Sequence, residues 1–441
     1  MTANIQAGAG EGQISIFEVV SNYGDKKGTD IKNGIIELTY YESILDHTVR
    51  ATATLVDTGH RTAGEGVTVI ENGDVNLNTG EKINLKIMDG YGTQLYFDQE
   101  TDNPLRLLQV RNVEESTNNT VYSIDLTSTE YHTNDNLTAR VVKRYDGKIP
   151  DNVKSILQNI LKTPKNIDVD AGLNSFNFTG KSEKPFYLCT WLAKRCVPDI
   201  QDSKGKLAGY LFYETADGFK FKSIDKLFQQ KPKRTLIFNN LIGQVPPGYD
   251  GKILDYSFDS TFNLKKLRAT GAMGQAETRT FNPLTHEYGN KNKVNSDVQF
   301  NETNTGGTEQ IKYGDDQNET TKRYVKNLDV GVLPTGKKLD EQLQKSNELN
   351  FNVDEVVIQS SMRYNSLFAI KLSVMIAGDF NIRAGDVIHC DFPEVSSNET
   401  TSYSKKKSGI YMVADVAHRI TKNNCFTSLN LVRDSIGRKP F

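Results

Sequence analysis

Apolar residues recur at every second position through Val49-Arg50-Ala51-Thr52-Ala53-Thr54-Leu55-Val56, the spacing of a strand that buries one face. A similar rhythm, or a short β-branched and aromatic run, marks Gln13–Val20, Gly34–Tyr41, Lys82–Met88, Leu105–Val113 and Val121–Thr127. Clusters of Gly, Asn and Asp separate these runs as turns. Six such strands within residues 1–135 predict an antiparallel barrel or sandwich.

The period then changes. Ile149, Val153, Ile156, Leu157, Ile160 and Leu161 lie at helical spacing, with Pro150 near the start and Pro164 just past the end. A second helix begins at Pro185, a favoured first-turn residue, and runs through Phe186, Leu188, Trp191 and Leu192 to about Cys196. Gly209–Glu214 and Phe219–Ile224 flank an Asp217-Gly218 turn and read as a hairpin. Residues 136–235 therefore predict a small α/β unit. Strand patterning returns in Lys252–Phe258 and Leu264–Thr270. Residues 275–350 are rich in Asn, Thr, Gly and charge, and predict an exposed excursion outside the core. After it, Ile370, Leu372, Val374 and Ile376 alternate with Lys371, Ser373, Met375 and Ala377. Ile410, Met412, Ala414 and Val416 alternate again, and Cys425–Val432 makes a last strand.

The fold class expected is mainly β with an α/β insertion. Residues 1–135 form a first barrel, 136–235 the inserted α/β domain, and 240–273 with 351–434 a second barrel split by the polar stretch 275–350.

Composition narrows the function classes. The 441 residues are 37% hydrophobic and 24% charged, and 53 Lys and Arg against 55 Asp and Glu give a net charge of -2. This balance gives no argument for a nucleic-acid groove or an anionic membrane as partner. No run approaches the ~20 apolar residues of a membrane span, so membrane insertion by this chain is not expected. The start, Met1-Thr2-Ala3-Asn4-Ile5-Gln6-Ala7-Gly8, lacks the basic and apolar regions of a signal peptide, predicting a chain made and kept in a cytoplasm until released. Four cysteines do not make a disulfide framework. Cys189 and Cys196, seven residues apart on one helix, would stand about 10 Å apart, beyond disulfide reach; both predict core packing.

Candidate chemistry does not assemble. Gly8-Ala9-Gly10-Glu11-Gly12 precedes a strand instead of linking strand to helix, so it is not a phosphate loop. Gly331-Val332-Leu333-Pro334-Thr335-Gly336-Lys337-Lys338 has nucleotide-loop spacing, but Lys338 stands where a Mg²⁺-holding hydroxyl is needed. His47, His60, His132, His286, His389 and His418 form no local metal motif. His389 and Cys390 are neighbours on a strand and point to opposite faces. His418 is expected at a partly exposed strand end. Asp386, beside Gly385, reads as a turn residue whose carboxylate accepts from nearby backbone N–H groups. Lys405-Lys406-Lys407 reads as a solvated loop. No catalytic, cofactor-binding or metal residue is assigned, no cofactor is expected, and partner-binding residues are not identifiable.

The C-terminal block carries a resemblance. Arg383-Ala384-Gly385-Asp386-Val387-Ile388, Gly409-Ile410-Tyr411-Met412-Val413-Ala414-Asp415-Val416-Ala417-His418 and Thr427-Ser428-Leu429-Asn430-Leu431-Val432-Arg433-Asp434 resemble the closing strands of baseplate central hub proteins of contractile-tailed phages, a module related to type VI secretion spike proteins. The order of parts is similar too: a barrel, an α/β insertion, then a split second barrel. The resemblance implies two tail-tube-like barrels per chain, a homotrimer whose six barrels match a six-fold tail tube, and a three-fold spike beneath. It implies a non-enzymatic structural protein of the virion tail baseplate, assembled in the host cytoplasm, with the tail tube protein, the spike protein and other baseplate proteins as partners. Nothing in the sequence resembles a spike β-helix or a lysozyme domain, so the spike is expected to be a separate chain. The alternatives are a tail-associated cell-wall or polysaccharide hydrolase and a host-glycan-binding tail protein.

Overall fold

The computed structural model describes residues 10–22, 28–57, 77–101, 103–115, 119–202, 204–239, 245–259, 263–282, 285–312, 319–327, 353–394, 403–422 and 424–439. The chain is mainly β.

Its first part supplies β1 (Gly12–Val20), β2 (Gly28–Asp30), β3 (Ile35–Ser43), β4 (Arg50–Asp57), β5 (Lys82–Asp89), β6 (Gln94–Phe97), β7 (Leu105–Glu115) and β8 (Thr120–Ser128). The six longest are the six strands that alternation predicts. Along β4, Ala51, Ala53 and Leu55 are buried while Thr52 and Thr54 between them are not; along β5, Ile83, Leu85 and Ile87 do the same. With Phe17, Leu38, Tyr40, Phe97, Leu107 and Leu126 they make one apolar cluster.

The middle part holds α1 (Thr129–Asp135), β9 (Arg144–Tyr145), α2 (Ile149–Ser155), β10 (Ile167–Val169), β11 (Phe178–Thr179), α3 (Pro185–Ala193), β12 (Tyr210–Thr215), β13 (Gly218–Ser223) and α4 (Ile224–Phe228). Helix α2 continues as a π turn, Ile156–Leu161, and stops at Lys162 in the left-handed conformation. A second cluster, rich in Phe176, Phe178, Phe186, Phe212, Phe219 and Phe221, fills this unit, and Cys189 and Cys196 are buried in it as free thiols.

The remainder comprises β14 (Arg234–Ile237), β15 (Gly251–Lys252), β16 (Asp255–Phe258), α5 (Leu264–Thr270), β17 (Gln275–Asn282), β18 (Glu287–Asn295), α6 (Ser296–Glu302), β19 (Thr320–Asn327), α7 (Val353–Leu367), β20 (Ile370–Ala377), β21 (Val387–Asp391), β22 (Gly409–Thr421) and β23 (Asn424–Arg433). A third apolar cluster lies among Leu236, Ile253, Leu372, Val374, Cys390, Phe392, Tyr411, Val413, Leu429 and Leu431.

A single 15-stranded sheet joins the first and last parts, in the order β15-β14-β21-β22-β3-β4-β8-β7-β5-β1-β2, with β6 on β5 and β23, β20 and β16 branching from β22. Among the described residues the strand pairing forms no closed barrel; the two regions expected to be separate barrels share β22 and β23. Thirteen residues at ~3.3 Å each make β22 long enough to serve both. Its start, Gly409–Met412, pairs with β21, and its end, Asp415–Thr421, pairs with β3. A bulge between Val413 and Asp415 separates the two stretches. One extra residue there reverses which side chains face inward: Tyr411 and Val413 before it, Val416, His418 and Ile420 after it.

Three expectations need correction. Leu264–Thr270 is helix, not strand: the Asn263 side chain caps the helix by accepting from the Lys266 N–H at 2.9 Å, and Gly271 ends it at φ 80°. The stretch 351–434 opens with a helix, α7, in which Val356, Ser360, Arg363 and Leu367 are buried at one-face spacing. The polar excursion contains a three-stranded sheet, β18-β17-β19, whose Ala276 and Val294 pack on Ile358 and Met362 of α7. Most of its side chains are polar because only that one face is covered.

Candidate functional sites

Four carboxylates that burial would normally keep out of a core fasten the parts of the molecule together. Glu42 of β3 accepts from the Tyr40 hydroxyl at 2.9 Å, from the Ala216 N–H of the β12–β13 turn at 2.7 Å, and from the Ala384 N–H at 3.0 Å. Burial raises its pKa, and the nearby Arg383 guanidinium only partly opposes this. Asp89 accepts from Thr93 and Tyr91 in its own hairpin and from the Phe380 N–H at 2.7 Å, in the turn after β20. Glu214 of β12 accepts from the Val49 N–H at 3.0 Å and from Lys165, which also bonds Glu130 at 2.7 Å. Asp225 of α4 meets Arg363 of α7 at 3.1 Å, and Arg363 also binds Asp434 and the Asn304 carbonyl. Buried charge of this kind is retained only where partners saturate it. Here each network spans segments far apart in sequence.

One of these networks, and a separate pair on β21, resemble catalytic pairs. Glu130 and Glu214 share Lys165, but the three side chains are at most 7% exposed, and Thr163 and Val49 occupy further lone pairs. His389 Nε2 stands 3.1 Å from Asp391, and both are fully buried. Burial would raise the Asp391 pKa, but hydrogen bonds from His389, Arg438 and Tyr249 outweigh it and hold the carboxyl well below its usual range. Arg438 thereby ties the C-terminal segment to β21, and Tyr249 bonds Asp391 at 2.7 Å and Tyr403 at 3.1 Å. Cys390 faces the other way, into the third apolar cluster, as strand geometry requires. A general acid or base must reach a substrate proton, and these groups face protein on all sides.

A cleft of about 230 Å³ lies between β13, α4 and the 383–386 turn. Its charges are matched: Asp168 with Lys220 and Lys222, Asp170 with Lys226, and Asp386 with Lys233. Asp386 also accepts from the Arg383 N–H at 2.8 Å, the turn role read from sequence.

Among the described residues the histidines do not converge, and no group of three or more His, Cys, Asp or Glu is placed to hold a metal ion. Among the same residues no helix is long and apolar enough to cross a membrane. His418 is fully buried, not at a partly exposed strand end: it lies against Tyr40 and Phe380, with Nδ1 2.9 Å from Thr427 Oγ1. His60 and Gly331–Lys338 lie outside the described residues, as do Gly8 and Ala9. Sequence reasoning missed the carboxylate networks, since their members are up to 342 positions apart; only His389 and Asp391, two apart on one strand, left a local trace.

The arrangement is that of a cross-braced, mainly β protein, and comparisons agree with that class. No model of a known protein family matches the sequence. A probable baseplate hub protein, gp334, of Vibrio phage KVP40 is 23% identical over 297 residues, which are 64% of this chain and 65% of that relative. The match thus spans just under two thirds of the relative's length. The fold is similar to the tail protein from Neisseria meningitidis MC58, with a TM-score of 0.51 at 10% identity over 95% of this chain and 96% of that one. It is equally similar to the 43 kDa tail protein of prophage MuSo2 from Shewanella oneidensis, with a TM-score of 0.51 at 8% identity over 96% and 98% of the two chains. The chain is thus similar in sequence to a probable baseplate hub protein and in fold to tail proteins.

Proposed function

We propose that the chain is the central hub of a contractile-tail baseplate, a structural and non-catalytic protein of the virion tail. Three copies form a ring after synthesis in the host cytoplasm, the ring joins a six-fold tail tube to a three-fold spike, and other baseplate proteins surround it. The observation that carries this reading is the presence of two strand-rich regions in one chain, the first antiparallel and the second mixed, each with its own apolar cluster. Two barrel-like units in each of three chains give the six needed beneath a six-fold tube. The sequence likeness to a baseplate hub protein points the same way. The cross-bracing suits a part that transmits force, and the burial of the Glu130–Glu214 and His389–Asp391 pairs among protein partners supports a role without turnover.

The apolar residues on both faces of β22 are satisfied within the chain and do not mark a ring contact. Tyr411 and Val413 enter the third cluster, while Met412 and Ala414 pack on Leu211, Tyr213, Leu227 and Leu367. Light scattering of the purified protein tests the ring. A mass near three times 49.3 kDa is expected, and a particle that stays at 49.3 kDa as concentration rises contradicts it.

A further inference from the structure

Charge is distributed along this chain very unevenly. Residues 1–135 contain 21 Asp and Glu against 9 Lys and Arg, a net of -12, and residues 136–441 therefore carry +10 of the total of -2. Each part presents some of its excess on an exposed surface. On the acidic side, Glu114 and Glu115 end β7 in exposed positions beside Val113, which is 64% exposed.

On the basic side, pairing in the small sheet places Glu277 between Lys293 and Arg323, and Arg279 between Lys291 and Val325. Strand alternation puts these six residues on one face. The opposite face, with Ala276, Val294 and Tyr324, is the one that packs on α7. Lys291, Lys293 and Arg323 are exposed, and Val325 is 58% exposed. Four cations thus surround one carboxylate: Glu277 is 3.6 Å from Arg279 and 3.3 Å from Arg323. The face keeps an excess of positive charge and an apolar contact point.

We infer that this open face of β17–β19 docks on the acidic β7 end of a second copy of the same chain. This rests on the ring proposed above and names the contact that builds it. The occupant follows from charge: each copy carries the complement of its own basic face in equal number. Basic face against basic face, or acidic end against acidic end, brings like charges together, which costs several kcal/mol. A two-fold contact of either patch with itself is therefore disfavoured. A head-to-tail contact remains, and such contacts close into rings when the rotation allows.

The test uses the full chain. Lys291→Glu with Lys293→Glu reverses the basic face at exposed positions, and Glu114→Lys with Glu115→Lys reverses the acidic end. Light scattering across a dilution series reads assembly, and circular dichroism confirms the fold; Lys291→Gln with Lys293→Gln serves if reversal disturbs the small sheet. Each reversal is expected to raise the concentration needed for trimer by about tenfold or more, and the chain carrying both is expected to return to near the native value. Raising NaCl from about 0.1 to 1 M, which shortens the Debye length from about 10 to 3 Å, should weaken the native trimer and leave its secondary structure intact. A trimer indifferent to every reversal and to salt overturns this contact but leaves the hub reading standing. A native chain that is monomeric at low salt and high concentration overturns both.

Discussion

His418 occupies a position where acquiring a proton is costly. It is buried against Tyr40 and Phe380, and burial, reinforced by the charge of Arg383, pushes its pKa down to about 3. In the unfolded chain the imidazole takes a proton below about pH 6.5. A depressed histidine pKa means that the unfolded state binds the proton first as pH falls. The stability this residue contributes is complete above about pH 6.5 and is lost as pH falls toward 3. From pH 7 to pH 5 the loss from this group alone should be about 2 kcal/mol. Urea unfolding at the two pH values measures it, and His418→Gln, which keeps a polar side chain of similar size but does not titrate, should remove most of that difference. An unchanged difference in the variant would mean that other groups set the acid sensitivity.

At the scale of elements, β22 shows how much was legible in the sequence. Period-two patterning located the six main strands of the first part and those of the last, because each buries one face against its own cluster. It did not reveal the bulge. Gly409-Ile410-Tyr411-Met412-Val413-Ala414 is buried at every position, so a change of parity leaves no mark in the alternation. The helix Leu264–Thr270 reads as strand from its pattern although Asn263 and Gly271 bracket it, because seven residues are too few to distinguish a helical period from alternation. The carboxylate networks were illegible for a different reason: hydrogen bonds from Ala216 and Ala384 to Glu42 exist only once three distant segments meet. The charge excess of residues 1–135 is visible in the sequence, but its complement became a surface only when pairing placed Arg279, Lys291, Lys293 and Arg323 on one face. The bulge carries a prediction. Deleting Ala414 would turn one half of β22 over, exposing His418 and Ile420 and forcing Ala417 and Arg419 inward. The cost should exceed about 5 kcal/mol, a loss comparable with the whole stability of a modest domain. Thermal unfolding should then show no cooperative transition at the native temperature, whereas Ala414→Ser should retain one.

For the whole molecule, the proposed function requires one chain to contribute two barrel-like units to a ring. The sharing of β22 and β23 makes those units a continuous body, Asp89 ties the two units to each other, and Glu42, Glu214 and Arg363 brace the α/β unit to them and to α7. A hub under contraction load benefits from such continuity, because force entering one unit passes through backbone hydrogen bonds to the next. Cryo-electron microscopy of the purified assembly, with no symmetry imposed, tests this most directly. A three-fold particle is expected, in which six similar β lobes surround a central axis, two from each chain. A two-fold dimer, or three chains whose lobes do not alternate around one ring, would contradict it.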